Sequence, residues 1–235
     1  MSKGKLYLIP SPLGDYEPSE VIPAPVFELI RHISVYVVEE VRTARRYLSR
    51  AGLRGHIEEL EFHELNEHST QADAESYIRL FEGGRDVGLI SEAGLPAVAD
   101  PGAMLVDLCH RHGIEVVPLT GPSSLMLALM ASGLNGQSFA FLGYLPVKPD
   151  ERRAAIKRAE QHSAAAKQTQ IFIETPYRND AMLADILQSC RGGTKLCIAA
   201  DITMPDAFIR TMTVAEWKAG KPVIGKRPCV FLLLS

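Results

Sequence analysis

The stretch VGLISEAGLPAVADPGAMLVDLCHRHG (87–113) passes from an apolar run, through a loop, into a helical period. Val87 to Ile90 fits a short buried strand, while Met104, Leu105 and Leu108 form an apolar stripe that stops at Gly113. Between them lies SEAGLPAVADPG (91–102), where glycine, proline and carboxylates crowd together, a composition suited to a shaped loop rather than a core segment. Asp100 followed by Pro101 reads as a helix N-cap with proline at the first helical position. The segment is a strand, a loop and a helix in that order.

The same unit recurs on both sides. KLYLIP (5–10), SVYVVE (34–39) and IEVVPL (114–119) read as strands, with a weaker run near 57–63. Ala74, Tyr77, Ile78 and Phe81 repeat at helical spacing and predict a helix that ends at Gly83 and Gly84. Strand and helix alternate, so the first part should be a parallel sheet with right-handed crossovers and helices on both faces. After Thr120 the pattern changes. SSLMLALMASG (123–133) is apolar almost all round, which predicts a buried helix. FAFLGYLP (139–146), QIFIE (170–174), KLCIAAD (195–201), FIRTMT (208–213) and CVFLLL (229–234) then supply a second sheet. Thr213 and Glu216 form a capping box ahead of Trp217. The expected fold class is α/β with two α/β domains, residues 1–119 carrying a parallel sheet and 120–235 a mixed one.

Composition excludes several functions. With 235 residues and 46% hydrophobic content the chain can build real cores. No window approaches the roughly 20 apolar residues of a membrane span, which predicts a soluble, cytoplasmic protein without membrane contact. The cysteines, Cys109, Cys190, Cys197 and Cys229, include no C-x-x-C pair and read as buried reduced thiols. The seven histidines show no HExxH or H-x-x-x-H spacing, so no metal is expected. A net charge of −3 argues against a blanket polyanion-binding surface and leaves room for local basic patches.

In open α/β sheets ligands bind beyond the carboxyl ends of the strands. The loops PSPLGD (10–15), EEVRTARR (39–46), SEAGLPAVADPG and TGPSS (120–124) all belong to that rim. Gly94 and the small Ala93 would let a ligand approach the backbone and use its N–H and C=O groups. GxxxxGK[ST] is absent and no GxGxxG follows the first strand, so neither a triphosphate nor a dinucleotide is signalled.

Several stretches, in order, are similar to one known family. LYLIPSPLGD (6–15) resembles its opening strand and Pro-x-Gly-Asn loop, with Asp15 in place of Asn. Glu39-Glu40-Val41-Arg42 stands where the family has Glu-Asp-Thr-Arg, and Asn66-Glu67 matches His-Asn-Glu with Leu65 replacing the histidine. Ser91-Glu92-Ala93-Gly94-Leu95-Pro96 corresponds to Ser-Asp-Ala-Gly-Thr-Pro, and Asp100-Pro101-Gly102 follows unchanged. Thr120-Gly121-Pro122-Ser123, Gly143-Tyr144-Leu145-Pro146 and Glu174-Thr175-Pro176-Tyr177-Arg178 match Pro-Gly-Pro-Ser, Gly-Phe-Leu-Pro and Glu-Ser-Pro-His-Arg. The chain resembles the ribosomal RNA small-subunit methyltransferase I family, within the tetrapyrrole-methylase-like methyltransferases that use S-adenosylmethionine.

That resemblance implies a cofactor cleft between the two domains, a homodimer, and methylation of a cytidine ribose 2′-hydroxyl in small-subunit ribosomal RNA. It implies S-adenosylmethionine contacts from Pro12, Gly14, Ser91, Ala93, Gly94, Pro96, Gly121, Pro122, Ser123 and Glu174, with Asn66 and Glu67 toward the substrate. The reaction is an in-line displacement at an activated methyl group, so alignment is the protein's main task, worth up to ~7 to 11 kcal/mol. A group that takes the hydroxyl proton would help. Glu39, Glu40, Glu67, His68 and Asp100 are candidates, and Glu40 with Arg42 is preferred as catalytic because both sit at a strand end on the shared rim.

Arg42, Arg46 and Arg50 at i, i+4, i+8, with Arg45 beside them, predict a basic helical stripe that would contact RNA phosphates. Lys148, Arg152, Arg153, Lys157 and Arg158 form a second cluster on another helix. One departure bears on the acceptor: Ala199-Ala200-Asp201-Ile202-Thr203-Met204 replaces Ala-Arg-Glu-Leu-Thr-Lys and loses two cations. Another RNA, a tetrapyrrole-like small molecule, or a non-catalytic S-adenosylmethionine-binding module are the alternatives.

Overall fold

The computed structural model describes residues 3–220 and 223–235. The chain divides into two compact units, Met1–Ser123 and Ser124–Ser235.

In the first unit, β1 (Leu6–Leu8), β2 (Val35–Val38), β3 (Glu61–Glu64), β4 (Val87–Ile90) and β5 (Val116–Pro118) form a sheet of order β3-β2-β4-β1-β5. Every neighbouring pair is parallel. β2 and β4 are buried throughout, as central parallel strands covered on both faces must be. Alternation along β2 sends Val35 and Val37 to one core with Leu89, Leu105 and Leu108, and Tyr36 and Val38 to the other with Ile9, Leu48 and Ile90. The second core lies under α1 (Ala24–Ile30) and α2 (Val41–Leu48), and the first under α3 (Gln71–Ser76) and α4 (Ala103–Arg111).

Three local expectations are corrected. The run near 57–63 splits into a 3-10 turn at Ile57–Glu59 and the edge strand β3, because only the second half finds hydrogen-bonding partners on β2. The helix expected through Gly84 is α-helical only over Gln71–Ser76, started by the Thr70–Asp73 capping box. It then tightens to 3-10 geometry from Tyr77, which brings Leu80 and Phe81 into the core beside Ala74, and the backbone breaks at Glu82 and Gly83. The helix after the 91–102 loop begins at Ala103, with Gly102 rather than Asp100 at the flanking position.

In the second unit, β6 (Phe139–Tyr144), β7 (Thr169–Glu174), β8 (Lys195–Ala200), β9 (Phe208–Thr213) and β10 (Cys229–Leu234) give the order β6-β7-β10-β8-β9. β6 and β7 are parallel and the other pairs antiparallel, so the sheet is mixed. Phe172 and Phe231 stack at 5.7 Å in a core closed by α6 (Pro149–Ala166), α7 (Asn179–Ser189) and α8 (Val214–Gly220). Trp217 Nε1 donates to the Leu196 carbonyl at 2.9 Å, and the Thr213–Glu216 box starts α8. α5 (Ser124–Ser132) packs on β8, β9 and β10 through Leu125, Ala128 and Leu129. It is not buried all round: Met130 is 77% exposed and Met126 lies on the same outward side. All four cysteines are buried and free, and burial pushes the thiols of Cys109, Cys190 and Cys229 up to about 12. Among the described residues no helix is long and apolar enough to cross a membrane, and no cluster of metal-ligating side chains occurs.

Candidate functional site

Beyond the carboxyl ends of β1, β2 and β4 the first unit encloses a cavity of about 210 Å³. The loop after β1 gives Ser11, Pro12, Leu13, Gly14 and Tyr16; the loop after β4 gives Ser91, Glu92 and Ala93; α2 gives Thr43, Arg46, Tyr47 and Arg50 on its continuation.

The two loops are tied together at Gly94. Its N–H donates to the Ser11 carbonyl at 3.1 Å and its carbonyl accepts from the Ser11 N–H at 2.9 Å. The Gly94 backbone is therefore engaged in a loop-to-loop bridge and does not offer the free groups the sequence led us to expect. Its φ of +78° and the 3.1 Å approach of Leu13 Cδ2 to a built Cβ explain the glycine. Ser11 Oγ donates to the Ser91 carbonyl at 3.2 Å, a second tie. Farther along, Ala97 and Ala99 also take left-handed backbone, with φ of 65° and 57°. Such strain persists only where surroundings enforce it. Asp100 Oδ1 provides the restraint, accepting from Ala97 N at 3.0 Å and Gly102 N at 2.6 Å. Pro96 is buried in the same loop.

Glu40 is the N-cap of α2. Its carboxylate accepts from Arg42 N at 2.8 Å, Thr43 N at 2.6 Å and Thr43 Oγ1 at 2.8 Å. The Arg42 N–H bond, then the Thr43 hydroxyl, hold its carboxyl below the usual range. A carboxylate so engaged is a helix cap first and a weak proton acceptor. Glu39 differs. Half-buried, it accepts the Glu92 N–H at 3.1 Å and meets the Asp100 carboxyl, and burial followed by the Asp100 and Glu92 charges pushes its carboxyl up. Burial, unreadable from a Glu-Glu pair, separates these neighbours.

The arginine stripe is also revised. α2 ends at Leu48 and widens into a π-type turn over Ser49–Leu53 that breaks at Gly52, φ 108°, and Arg46 and Arg50 still line one cavity. Arg50 is bound by Asp15 at 2.6 Å and Glu17 at 3.2 Å, and Arg45 pairs with Glu58 and lies over the Phe62 ring. Arg46 is exposed, lines the cavity and has no ion pair among the described residues. Arg42 is exposed beside Glu40.

The other expected residues lie outside this cavity. Asn66 shapes its own turn, taking the His68 N–H on Oδ1 at 3.0 Å, and Glu67 is exposed beside His68. Gly121 packs on Pro10, where a Cβ would come within 2.1 Å of the proline ring; Pro122 is buried and Ser123 half-buried. Glu174 belongs to the second unit, with its carboxylate clamping Arg178 at 2.5 Å. Sequence reasoning missed Ser11, Tyr16, Thr43, Tyr47 and Glu92 as cavity walls. Their positions in the rim loops and on α2 were visible, but nothing marked which side chains turn inward.

A parallel β/α unit followed by a mixed-sheet unit is the fold this chain shares with solved methyltransferases. The sequence profile of Tetrapyrrole (Corrin/Porphyrin) Methylases matches residues 5–218. The solved structure of the methyltransferase CobJ superposes with a TM-score of 0.67 at 19% identity, covering 99% of this chain and 94% of that one. Uroporphyrin-III C-methyl transferase from Thermus thermophilus, complexed with S-adenyl homocysteine, does so with a TM-score of 0.60 at 19% identity, covering 99% and 98%. At those identities the likeness is one of fold. A ribosomal RNA small subunit methyltransferase I of Pseudomonas aeruginosa is 30% identical over 236 residues, 99% of this chain and 79% of the relative. One of Escherichia coli O157:H7 is 32% identical over 215 residues, 92% and 71%. The chain belongs to the ribosomal RNA small subunit methyltransferase I family of the tetrapyrrole methylases, and it is a methyltransferase.

Proposed function

We propose that this protein transfers the methyl group of S-adenosylmethionine to a ribose 2′-hydroxyl of a cytidine in small-subunit ribosomal RNA. It would act in the cytoplasm as a homodimer. The observation that carries the reading is the cavity of about 210 Å³, which unites Pro12, Gly14, Ser91 and Ala93, assigned to the donor, with Arg46, assigned to the acceptor. Methyl transfer needs that adjacency, because donor and nucleophile must meet in line. Ligand pockets usually measure about 300–1,000 Å³, so this cavity holds one portion of the reacting pair.

The fit to the donor rests on the walls. Small or apolar groups at Pro12, Leu13, Ala44, Ile90 and Ala93 accept a nucleoside or thioether, and no cluster of cations demands a polyphosphate. The donor supplies a methyl group already activated on sulfonium. The chain's residues then orient the acceptor and move its proton. Arg46, and Arg42 one turn before it on α2, would meet phosphate, Glu92 lines the cavity, and Glu39 beside it is the carboxylate best disposed to hold a proton. Glu40 acts through the helix it caps.

Calorimetry with S-adenosylmethionine, S-adenosylhomocysteine, NAD and ATP tests the donor; binding of the first two alone is expected, and NAD binding without S-adenosylmethionine heat overturns the reading. Gly94→Leu should abolish that heat, because the bridge to Ser11 needs left-handed backbone. Mass spectrometry of RNA nucleosides from cells with and without the gene tests the acceptor. A missing 2′-O-methylcytidine supports it, and an unchanged RNA profile beside a changed small-molecule methyl product overturns it.

A further inference from the structure

We propose that the second unit carries a platform, formed by Tyr177 with Lys226, Arg178 and Tyr144, that binds single-stranded RNA by stacking an unpaired base. The inference rests on the RNA acceptor proposed above and deepens it, naming an unpaired strand as the form engaged.

Tyr177 is 79% exposed and Tyr144 57%, whereas Phe172, Trp217 and Phe231 are buried in the core of this unit. Tyr177 is also held firmly. It sits in the middle of a 3-10 turn, Pro176–Arg178, whose proline fixes φ and whose end is closed by the Arg178 N–H to the Thr175 carbonyl at 2.9 Å. Arg178 is anchored in turn, with Nε at 2.9 Å and Nη2 at 2.5 Å from Glu174 Oε1, and Glu174 is buried at the end of β7. An exposed ring on a stiff mount loses little freedom on binding.

The charges around it favour an anion-bearing partner. Lys226 Nζ lies 4.9 Å from the Tyr177 ring centroid, over one face, and takes part in no ion pair among the described residues. Of the carboxylates nearby, Glu174 is matched by Arg178 and Asp201 by Arg227, while Asp180 is engaged by the Ile224 and Gly225 N–H groups. Tyr144 lies near Arg178, and it faces outward beyond the break in β6 register between Phe141 and Tyr144, where Gly143 has φ 68°. An aromatic face beside an unmatched cation is the arrangement that stacks a base and holds its phosphate, whichever base it is. A duplex keeps its bases paired and presents none to stack.

Fluorescence anisotropy with a short single-stranded RNA, at low salt, tests the assignment on the full chain. Tyr177→Ala should weaken binding about tenfold or more while Tyr177→Phe stays within about twofold, since the ring and not the hydroxyl stacks. Lys226→Ala should flatten the dependence of log affinity on log salt by about 0.7 unit. Duplex RNA of the same sequence should bind less tightly and ignore Tyr177→Ala. Equal affinity of wild type and Tyr177→Ala for the single strand overturns the platform and leaves the RNA acceptor standing. Loss of dimer in the ultracentrifuge with Tyr177→Ala, with RNA affinity falling only in proportion, makes the patch a protein contact and overturns it too. Wild type that binds S-adenosylmethionine but no RNA overturns both this inference and the acceptor on which it rests.

Discussion

α2 and α6 carry the same signal in the sequence and different physics in the structure. Each places arginines at helical spacing, and each was read as a basic face for RNA. On α6 the arginines of the first turn are consumed internally, while Lys157 and Arg158 stay exposed with no ion pair among the described residues: Arg152 is 4% exposed, with Nε at 2.7 Å from Asp185 Oδ2 and Nη1 at 2.8 Å from the Val147 carbonyl. Arg153 takes the other oxygen of Asp185 at 3.0 Å and also pairs with Asp150, while Lys148 pairs with Glu151. On α2 the pairing is selective. Arg50 fastens the loop after β1 and Arg45 reaches Glu58, so Arg46 remains to face the cavity. A charged side chain is assigned to structure or to solvent by a partner far along the chain, and Asp185 lies 33 residues from Arg152.

The largest effect should come from breaking the buried side of this contrast. Asp185→Ala would strand the buried Arg152 guanidinium without a counter-charge, and removing one partner of such a pair costs about 3–5 kcal/mol. Arg46→Ala removes an exposed, unpaired side chain and should change stability by no more than about 0.5 kcal/mol. Denaturant unfolding of both variants decides this; a similar loss from each would mean that the two helices use their arginines alike.

The binding side sharpens the comparison with a smaller effect. If Arg46 meets a phosphate, Arg46→Ala should weaken RNA binding and flatten its salt slope by about 0.7 to 0.9 unit, for a single strand or duplex respectively. Arg50→Ala should leave that slope nearly unchanged, because Asp15 and Glu17 already match its charge. Titrations at several salt concentrations read both. A slope lost with Arg50 and kept with Arg46 would reverse their roles.

These contrasts also mark what the sequence could carry. The parallel sheet was legible because β2 and β4 are short, fully apolar runs between helical periods, and the mixed sheet because six-residue strands such as CVFLLL recur between turns. The loop 91–102 was legible as a shaped loop through its glycines and prolines. Its internal logic was not, because the bridge from Gly94 to Ser11 spans 83 positions and left-handed alanines leave no compositional trace. Met126 and Met130 looked like core for a related reason: an apolar helix reads as buried whichever side has a neighbour.

The subtlest prediction concerns how the two helices begin. α6 enters through Pro149 with no side-chain cap at Lys148, so its start is indifferent to the state of a capping carboxylate there. α2 is capped by Glu40, whose carboxyl is lowered by the Arg42 N–H bond and then the Thr43 hydroxyl. A lowered carboxyl contributes stability that is present above its unfolded value, near 4.5, and lost as pH falls through the lower folded value. Glu40→Gln should therefore be less stable than wild type at neutral pH, with the gap closing as pH drops below 4.5. Glu39 runs the other way. Burial, then the Asp100 and Glu92 charges, raise its carboxyl, so its contribution is present below the unfolded value and lost as pH rises through the folded one. Glu39→Gln should gain on wild type at neutral pH and lose that gain below about 4.5. Thermal unfolding of both variants across pH 3 to 7 reads the two slopes in the window that carboxylate titration sets, roughly one to two units either side of the unfolded value. Slopes of the same sign would show that the two glutamates share one environment, and would return Glu40 to equal standing as the proton acceptor.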